Sequence, residues 1–216
     1  MRQMTKEVVR FAFDPSCLWA WQSSIWIREV ERVRDVSVEW RLFSLGSIDL
    51  DAELPDPLEN PEMRGTAALR TLALVGRELG NEAVGRLYAA IGEHGHERRE
   101  PFDAALVGAS LADAGMDPSL LGRALDDAST AEEVRAQHRE AAEGVGAFGV
   151  PTLILASGRG MFGPVFAVAP AGEEAGELWD HCRWLIDRGD FFELKRIRHL
   201  RPGGAPVGER VRARPS

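Results

Sequence analysis

The sequence has few cysteines and no long hydrophobic run, and each shortage excludes a class of protein. Cys17 and Cys182 stand far apart among 216 residues, which is not the cysteine framework of a disulfide-stabilised secreted protein. No run of about 18 apolar residues is present, so we expect no membrane-spanning helix. The first residues lack the apolar core and the cleavage site of a signal peptide. The sequence therefore favours a cytoplasmic protein with reduced thiols.

Basic residues are also in the minority. The chain has 26 Lys and Arg against 34 Asp and Glu, which gives a formal net charge of −8. This balance disfavours nucleic acid as a partner, because binding to phosphates relies on positive charge. Apolar residues make up 44% of the chain, enough for a core, and the length allows one domain with an insertion or two small domains.

The N-terminal part has the pattern of a strand, a helix and a second strand. Residues 8–13, "VVRFAF", are β-branched and aromatic, and residues 36–43, "VSVEWRLF", alternate between apolar and polar. Between them, residues 18–33 carry apolar side chains at helical spacing. Two strands joined by a crossover helix are expected to pair in parallel.

The middle of the chain has helical patterns. A proline-rich connector, "DLDAELPDPLENPEM", precedes residues 62–146, which contain no convincing strand. Asp117-Pro118 has the pattern of a helix start, and Thr130 to Glu133, "TAEE", is a capping-box signature that opens a further helix.

Strand patterns return in the last third of the chain. Residues 150–155, "VPTLIL", and the segment "MFGPVFAV" predict two short strands, and residues 173–188 predict a closing helix. The order βαβ, helical block, ββα predicts an α/β protein of the thioredoxin type with an inserted all-helical domain. The predicted divisions are a thioredoxin-like domain of residues 1–55 and 147–200, a helical domain of residues 56–146 and a flexible tail of residues 201–216.

Cys17 lies where a thiol would be reactive. It precedes the first turn of the predicted helix, where free N–H groups and the helix dipole favour negative charge. Asp14-Pro15 is expected to turn the chain sharply and to present the thiol at the end of the strand. We predict a low pKa and an accessible thiol on this basis. The alternative is a buried structural cysteine, because free cysteines are commonly buried.

The segment "GVPT" predicts a second part of the same site. A proline that opens a strand often marks a cis peptide bond, and a cis Val150-Pro151 bond would aim backbone groups of Val150 at the thiol. These groups would then bind a peptide-like thiol in the manner of an added strand. A trans proline at a strand edge is the alternative. Gly163-Pro164 is expected to bend the next strand close to this loop and to shape the thiol-binding edge.

Several aromatic and histidine side chains are further candidates. Trp19 and Trp21 are candidates for the wall of a pocket that stacks on a flat substrate, with core packing as the alternative. His94 and His96 have no third ligand at a suitable spacing, so a loop or helix end is favoured over a metal site. His138 could face the cleft or pack elsewhere.

Five strings of the sequence together resemble one family. They are "FDPSCLWAW", "GVPT", "FGPV", "GEEAGELWD" and "FFELKR". Over about residues 8–198 the chain resembles the DsbA-like thioredoxin-fold family, and within it the mycothiol-dependent nitroreductases of actinobacteria. The resemblance implies a thioredoxin fold with a helical lid domain, a nucleophilic Cys17 and a cis proline at Pro151. It also implies a low-molecular-weight thiol as reductant and a homodimer.

Position 20 departs from the family pattern. Nitroreductase-type members carry C-P-W-C, whereas this chain has C-L-W-A, so Ala20 replaces the resolving cysteine. An intramolecular dithiol cycle is therefore excluded at this site. Cys182 lies on the apolar stripe of the closing helix and is interpreted as core packing.

The sequence therefore predicts a monothiol oxidoreductase of the DsbA family. Cys17 is the predicted nucleophile, and the predicted thiol- or substrate-binding residues are Pro15, Trp19, Trp21, Val150, Pro151 and Gly163. The reductant is expected to be mycothiol, and the substrate a disulfide or an electron-poor aromatic compound; no metal or nucleotide is expected. A thiol-dependent isomerase or transferase without net redox change and a redox-inactive binding or chaperone-like protein stay open as alternatives.

Overall fold

The structure, a computed structural model, describes residues 6–48 and 55–202. Most of the predicted flexible tail, from residue 203 onward, lies outside the described residues, as does part of the proline-rich connector.

A four-stranded sheet forms the centre of the fold. Its strands are β1 Glu7–Phe13, β2 Val36–Leu42, β3 Thr152–Leu155 and β4 Gly160–Phe162, in the spatial order β2-β1-β3-β4. β1 and β2 are parallel, whereas β3 is antiparallel to β1 and to β4. The first strands are joined by helix α1 Leu18–Val33, which has the predicted bounds, as a parallel pair requires.

Among the described residues, five α-helices lie between β2 and β3, and one follows β4. They are α2 Thr66–Leu79, α3 Asn81–Gly92, α4 Ala104–Asp113, α5 Ser119–Asp126, α6 Ser129–Val145 and the closing helix α7 Gly172–Asp187. This order confirms the predicted α/β architecture, βαβ, helices, ββα. The division of the chain into two domains stays a prediction.

Aromatic side chains link the sheet to α3 and link α1 to α7. The ring of Phe13 on β1 stacks on that of Tyr88 on α3 with centroids 4.0 Å apart, and Trp40 on β2 contacts both rings edge-on. On α1, Trp26 is fully buried and its Nε1–H donates to the Ala175 carbonyl oxygen of α7 at 3.0 Å. Burial of such large side chains supplies much of the free energy of folding.

The outer edge of β2 is covered by side chains rather than by another strand. Three backbone N–H groups donate to side-chain oxygens: Val38 to Glu31, Trp40 to Asn81 and Leu42 to Gln137. An uncovered edge strand would invite pairing with another chain. Residues of α1, α3 and α6 thus protect this edge.

Several element boundaries differ from those predicted by one or two residues, and the differences at β4 and α6 have a physical cause. β4 ends at Phe162 instead of continuing to residue 168, because Pro164 has no N–H to donate to a neighbouring strand. Helix α6 begins at Ser129, and the carboxylate of Asp127, rather than a capping box at Thr130, accepts the Ser129 N–H. The Thr130 hydroxyl instead accepts a hydrogen bond from the buried Arg70 guanidinium.

The described residues include no helix that is both long and apolar enough to cross a membrane.

Candidate functional site

The chain turns sharply between β1 and α1, and Asp14 holds this turn. The Cys17 N–H donates to the Asp14 carbonyl oxygen at 3.0 Å. The Asp14 carboxylate accepts from the N–H and hydroxyl of Ser16 on one oxygen, and from the Leu45 N–H on the other. Burial raises the pKa of this carboxyl group despite these three donors. The turn therefore fixes the start of α1 at the end of the central strand, as Asp14-Pro15 predicts.

Cys17 is the N-cap of α1. Its backbone is extended, with φ −85° and ψ 109°, and its Sγ atom accepts the Ala20 N–H at 3.5 Å. The sulfur thus takes the place that a serine or aspartate oxygen commonly has at a helix start. Ala20 itself is fully buried, so the position where a second cysteine would stand is closed to solvent.

Burial favours the protonated form of Cys17. Burial raises its pKa above the ordinary value, and the N–H groups of Ala20 and Trp19 oppose this shift without overcoming it. The S–H group donates to the Val150 carbonyl oxygen at 3.8 Å, which requires the protonated form. The sequence predicts a low pKa from the helix N-terminus; the structure differs because the sulfur is largely enclosed.

The loop before β3 lies against Cys17. The Val150-Pro151 peptide bond is cis, as predicted, and Gly163 is tied to it because its N–H donates to the Pro151 carbonyl oxygen at 2.8 Å. Gly163 has φ +94°, a conformation that favours glycine. The Gly163-Pro164 bond is also cis, which the sequence does not predict. Val150, Pro151 and Gly163 are therefore brought together beside the thiol.

The other predicted binding residues occupy different environments. Trp19 is half-buried and lies two positions after the thiol. Trp21 is 5% exposed and its Nε1–H donates to Glu97 at 2.7 Å, so its indole packs inside rather than facing a substrate. Pro15 is buried, and its carbonyl oxygen accepts from His96 Nε2 at 2.9 Å. Trp21 and Pro15 therefore pack inside the protein and support the turn that precedes Cys17.

His96 is a site residue that the sequence does not reveal. It lies with His94 in a π-helical turn, Glu93–Glu97, which agrees with the predicted helix end. Burial lowers the pKa of His96 to about 4, so the ring is neutral near pH 7 and donates to Pro15. Within the described ranges no group of three His, Cys, Asp or Glu side chains is placed to hold a metal ion. His138, a further candidate, packs its ring 4.1 Å from that of Phe43.

Two arginines also reach the site from distant parts of the chain. The Arg198 guanidinium lies over the Trp19 ring, 4.8 Å from its centroid, and Arg64 Nη2 is 3.4 Å from the Ser16 carbonyl oxygen. Neither is among the predicted site residues, because no sequence signal links the turn before α2, or the residues that follow "FFELKR", to Cys17.

The second cysteine has a different environment. Cys182 is partly buried on α7 and packs against the hydrophobic core. Burial raises the pKa of its thiol to about 11. This placement supports its interpretation as a packing residue.

Comparison with known proteins gives one matching family and one curated relative. A family model described as "Rv2466c-like: Mycothiol-dependent nitroreductase Rv2466c" matches residues 16–196. The Mycobacterium tuberculosis protein Rv2286c, described as uncharacterized, is 38% identical over 189 residues, which are 87% of this chain and 81% of that protein.

Solved structures with DsbA-like folds are similar to this chain. A chain described as "probable DsbA oxidoreductase SCO1869" from Streptomyces coelicolor has a TM-score of 0.56 at 24% identity, covering 94% of this chain and 99% of that chain. The cytosolic disulfide reductase DsbM from Pseudomonas aeruginosa, with GSH, has a TM-score of 0.56 at 15% identity, covering 82% and 99%. These likenesses confirm the thioredoxin-like fold.

Proposed function

The chain belongs to the Rv2466c-like family of mycothiol-dependent nitroreductases, and from this premise we propose that it is a thiol oxidoreductase in which Cys17 acts alone. The observation that carries the monothiol part is the pairing of Cys17 at a helix start with an alanine at position 20. Cys17 is partly exposed, whereas the position that would resolve a disulfide holds a buried methyl group.

The reaction at Cys17 begins with loss of its proton. The Cys17 thiolate attacks one sulfur of a disulfide, forms a mixed disulfide, and releases the other half as a thiolate. A small thiol, which we propose to be mycothiol, then attacks the Cys17 sulfur and releases the second half of the substrate as a thiol. A second small thiol attacks the sulfur of the first and returns Cys17 to the reduced form. Two small thiols supply two electrons and two protons per cycle and leave as their own disulfide. An electron-poor aromatic compound is the alternative acceptor of the same two electrons.

The Val150 carbonyl oxygen supports this use of the site. It accepts the Cys17 S–H in the resting protein, and it lies beside the cis Pro151 bond. Once Cys17 has formed a mixed disulfide, this carbonyl is free to accept an N–H from a small thiol that carries an amide. Gly163 would hold the loop in place through its bond to Pro151.

The direction of the Cys17 pKa shift favours a reductant over an oxidant. A thiol with a raised pKa is a poorer leaving group, so a disulfide formed by Cys17 is a weaker oxidant than one that releases a stabilised thiolate. Strong oxidants of this fold class have a stabilised thiolate instead. Burial at Cys17 has the opposite effect.

The setting of the enzyme is part of the same proposal. We place it in the cytoplasm, with a small-molecule thiol and a small-molecule or disulfide substrate as partners, without nucleic acid or membrane, and as a homodimer. The half-buried Trp19 ring would wall the substrate pocket.

The test measures thiol consumption and product together. Protein carrying Cys182→Ser would be mixed with mycothiol and either a mycothiol mixed disulfide or a nitroaromatic compound. In the parent we expect one mycothiol to be consumed per mixed disulfide, which yields mycothiol disulfide and one substrate thiol, and two per two-electron reduction of the nitroaromatic compound. We expect no turnover in Cys17→Ser. Product formation without thiol consumption would favour an isomerase or transferase. Absence of turnover in the Cys182→Ser protein would favour a binding scaffold.

A further inference from the structure

Two exposed arginines contact residues that precede and follow Cys17 in the chain. Arg64 contacts the Ser16 carbonyl oxygen, in the peptide unit that leads into Cys17, and its guanidinium lies 4.8 Å over the Phe102 ring. Arg198 lies over the Trp19 ring on the other side of the cysteine. Arg64 and Arg198 therefore reach residues 16–19 from two separate segments, one before α2 and one after α7.

Neither guanidinium is paired with a carboxylate of a described residue. This contrasts with arginines elsewhere, such as Arg34, which contacts Glu173 and Asp180, and Arg183, which contacts Glu7. An arginine laid flat on an aromatic ring keeps its N–H edge available for an anion. In a chain with net charge −8, two such cations beside one thiol form a local positive surface.

The acidic groups nearby do not neutralise this surface. Asp14 is buried, and donors from Ser16 and Leu45 occupy both of its oxygens. Glu97 is exposed, but one of its oxygens accepts the Trp21 Nε1–H. Neither Asp14 nor Glu97 forms an ion pair with Arg64 or Arg198, so both guanidinium groups stay available.

We propose that Arg64 and Arg198 bind an acidic group carried by the molecule that Cys17 attacks, so that the substrates are organic anions. The chemistry that fits is a carboxylate or sulfonate on a disulfide or nitroaromatic, held by guanidinium N–H groups while its reactive atom faces the sulfur. This inference rests on the proposed function of Cys17. Arg198 lies two positions beyond residues 16–196, the part of the chain that matches the family model.

The test compares an anionic and a neutral aromatic disulfide. Dithiobis(nitrobenzoate) carries two carboxylates and dithiodipyridine carries none. With either reagent, the Cys17 thiolate attacks one sulfur and a mixed disulfide forms. The other half leaves as a coloured thiol or thione, in a one-to-one ratio to Cys17. Rate constants would be measured on Cys182→Ser protein, alone and combined with Arg64→Gln, Arg198→Gln or both.

We expect the rate constant for dithiobis(nitrobenzoate), divided by that for dithiodipyridine, to be about tenfold lower in the double variant than in the parent. The ratio of the two rate constants tests anion binding, because a change in the Cys17 pKa alters both rate constants in the same direction. Arg196→Gln and Arg86→Gln are matched controls that remove the same charge elsewhere, and they should leave the ratio unchanged. Added salt should slow the anionic reagent in the parent protein more than in the double variant.

Two outcomes would overturn the inference in different ways. If the ratio is the same in the parent and the double variant, Cys17 is reactive and the anion-binding role of the arginines is wrong. If folded parent protein reacts with neither reagent, the proposed function of Cys17 fails, and the inference that rests on it fails too.

Discussion

The Sγ atom of Cys17 lies 3.8 Å from the carbonyl oxygen of Val150, a residue 133 positions later in the chain. Because a carbonyl oxygen accepts hydrogen bonds and donates none, this contact stabilises the protonated thiol and not the thiolate. On its other side the same sulfur accepts the Ala20 N–H, which stabilises the thiolate. The Val150 carbonyl oxygen thus stabilises the thiol, whereas the Ala20 N–H stabilises the thiolate. Burial adds to the first effect and raises the pKa of Cys17.

The first prediction concerns the alkylation of Cys17 by the neutral reagent iodoacetamide. In protein carrying Cys182→Ser, the rate should rise with pH with a midpoint above the free-thiol value of about 8.5, because burial disfavours the thiolate. The rate would be followed by mass spectrometry across pH.

Removal of the Arg198 charge tests the same pKa from the opposite side, with Arg196→Gln as the control. Its cation lowers the pKa of Cys17, so Arg198→Gln should move the midpoint further upward, whereas Arg196→Gln should not. A midpoint below the free-thiol value would mean that the N–H groups at the helix start outweigh burial, contrary to the structure.

The second prediction restores the missing thiol with Ala20→Cys. In Cys182→Ser protein given less than one equivalent of dithiobis(nitrobenzoate), each reagent molecule should release one nitrobenzoate thiol, because nothing resolves the mixed disulfide. In the Ala20→Cys variant the introduced thiol should displace the second half, so that each reagent molecule releases two.

The readouts for the second prediction are absorbance and intact mass. The parent should keep a nitrobenzoate adduct, and the Ala20→Cys variant should lose it and end two hydrogens lighter. Release of two thiols by the parent would show that another group resolves the mixed disulfide, and the monothiol assignment would then be wrong.

The sequence predicts the central part of the fold well, and it predicts least where contacts join distant segments. Helix α1 begins and ends as predicted, because a turn at Asp14-Pro15 and regular apolar spacing are local signals. The pKa of Cys17 is predicted in the wrong direction, since enclosure by the loop at Val150 is a tertiary effect. Arg198 escapes prediction for the same reason: its position over Trp19 depends on how the chain returns after α7.

The third prediction concerns His94, which is buried between two carboxylates. Its Nδ1 lies 2.8 Å from Glu100 and its Nε2 lies 2.9 Å from Asp113, and these contacts raise its pKa although Arg98 opposes them. Stabilisation by the charged imidazolium is therefore full below the unfolded-state pKa of about 6.5 and is lost as pH rises through the folded-state pKa. The free energy of unfolding of the parent relative to His94→Gln should fall from about pH 6 upward.

Urea unfolding at a series of pH values tests the His94 prediction. His96, whose pKa burial lowers to about 4, acts in the opposite direction and below pH 6.5, so the two histidines are separable by pH window. An equal difference between parent and His94→Gln at all pH values would show that the imidazole does not titrate differently in the folded protein.

The fourth prediction concerns the packing of Trp21 against α3. A methyl group added at Gly92 would lie 2.1 Å from Cε3 of the Trp21 ring, which is buried and held at its nitrogen by Glu97. Gly92→Ala should therefore lower the free energy of unfolding by about 1–3 kcal/mol, the usual cost of overpacking a core.

Gly122→Ala in α5 is the matched control, since nothing lies within 4 Å of the added group, and it should raise stability by about 0.5–1 kcal/mol. Urea denaturation measures both. Equal stability of the two variants would mean that the Trp21 ring moves aside without cost. The claim that this ring gives rigid support to the start of α1 would then be wrong.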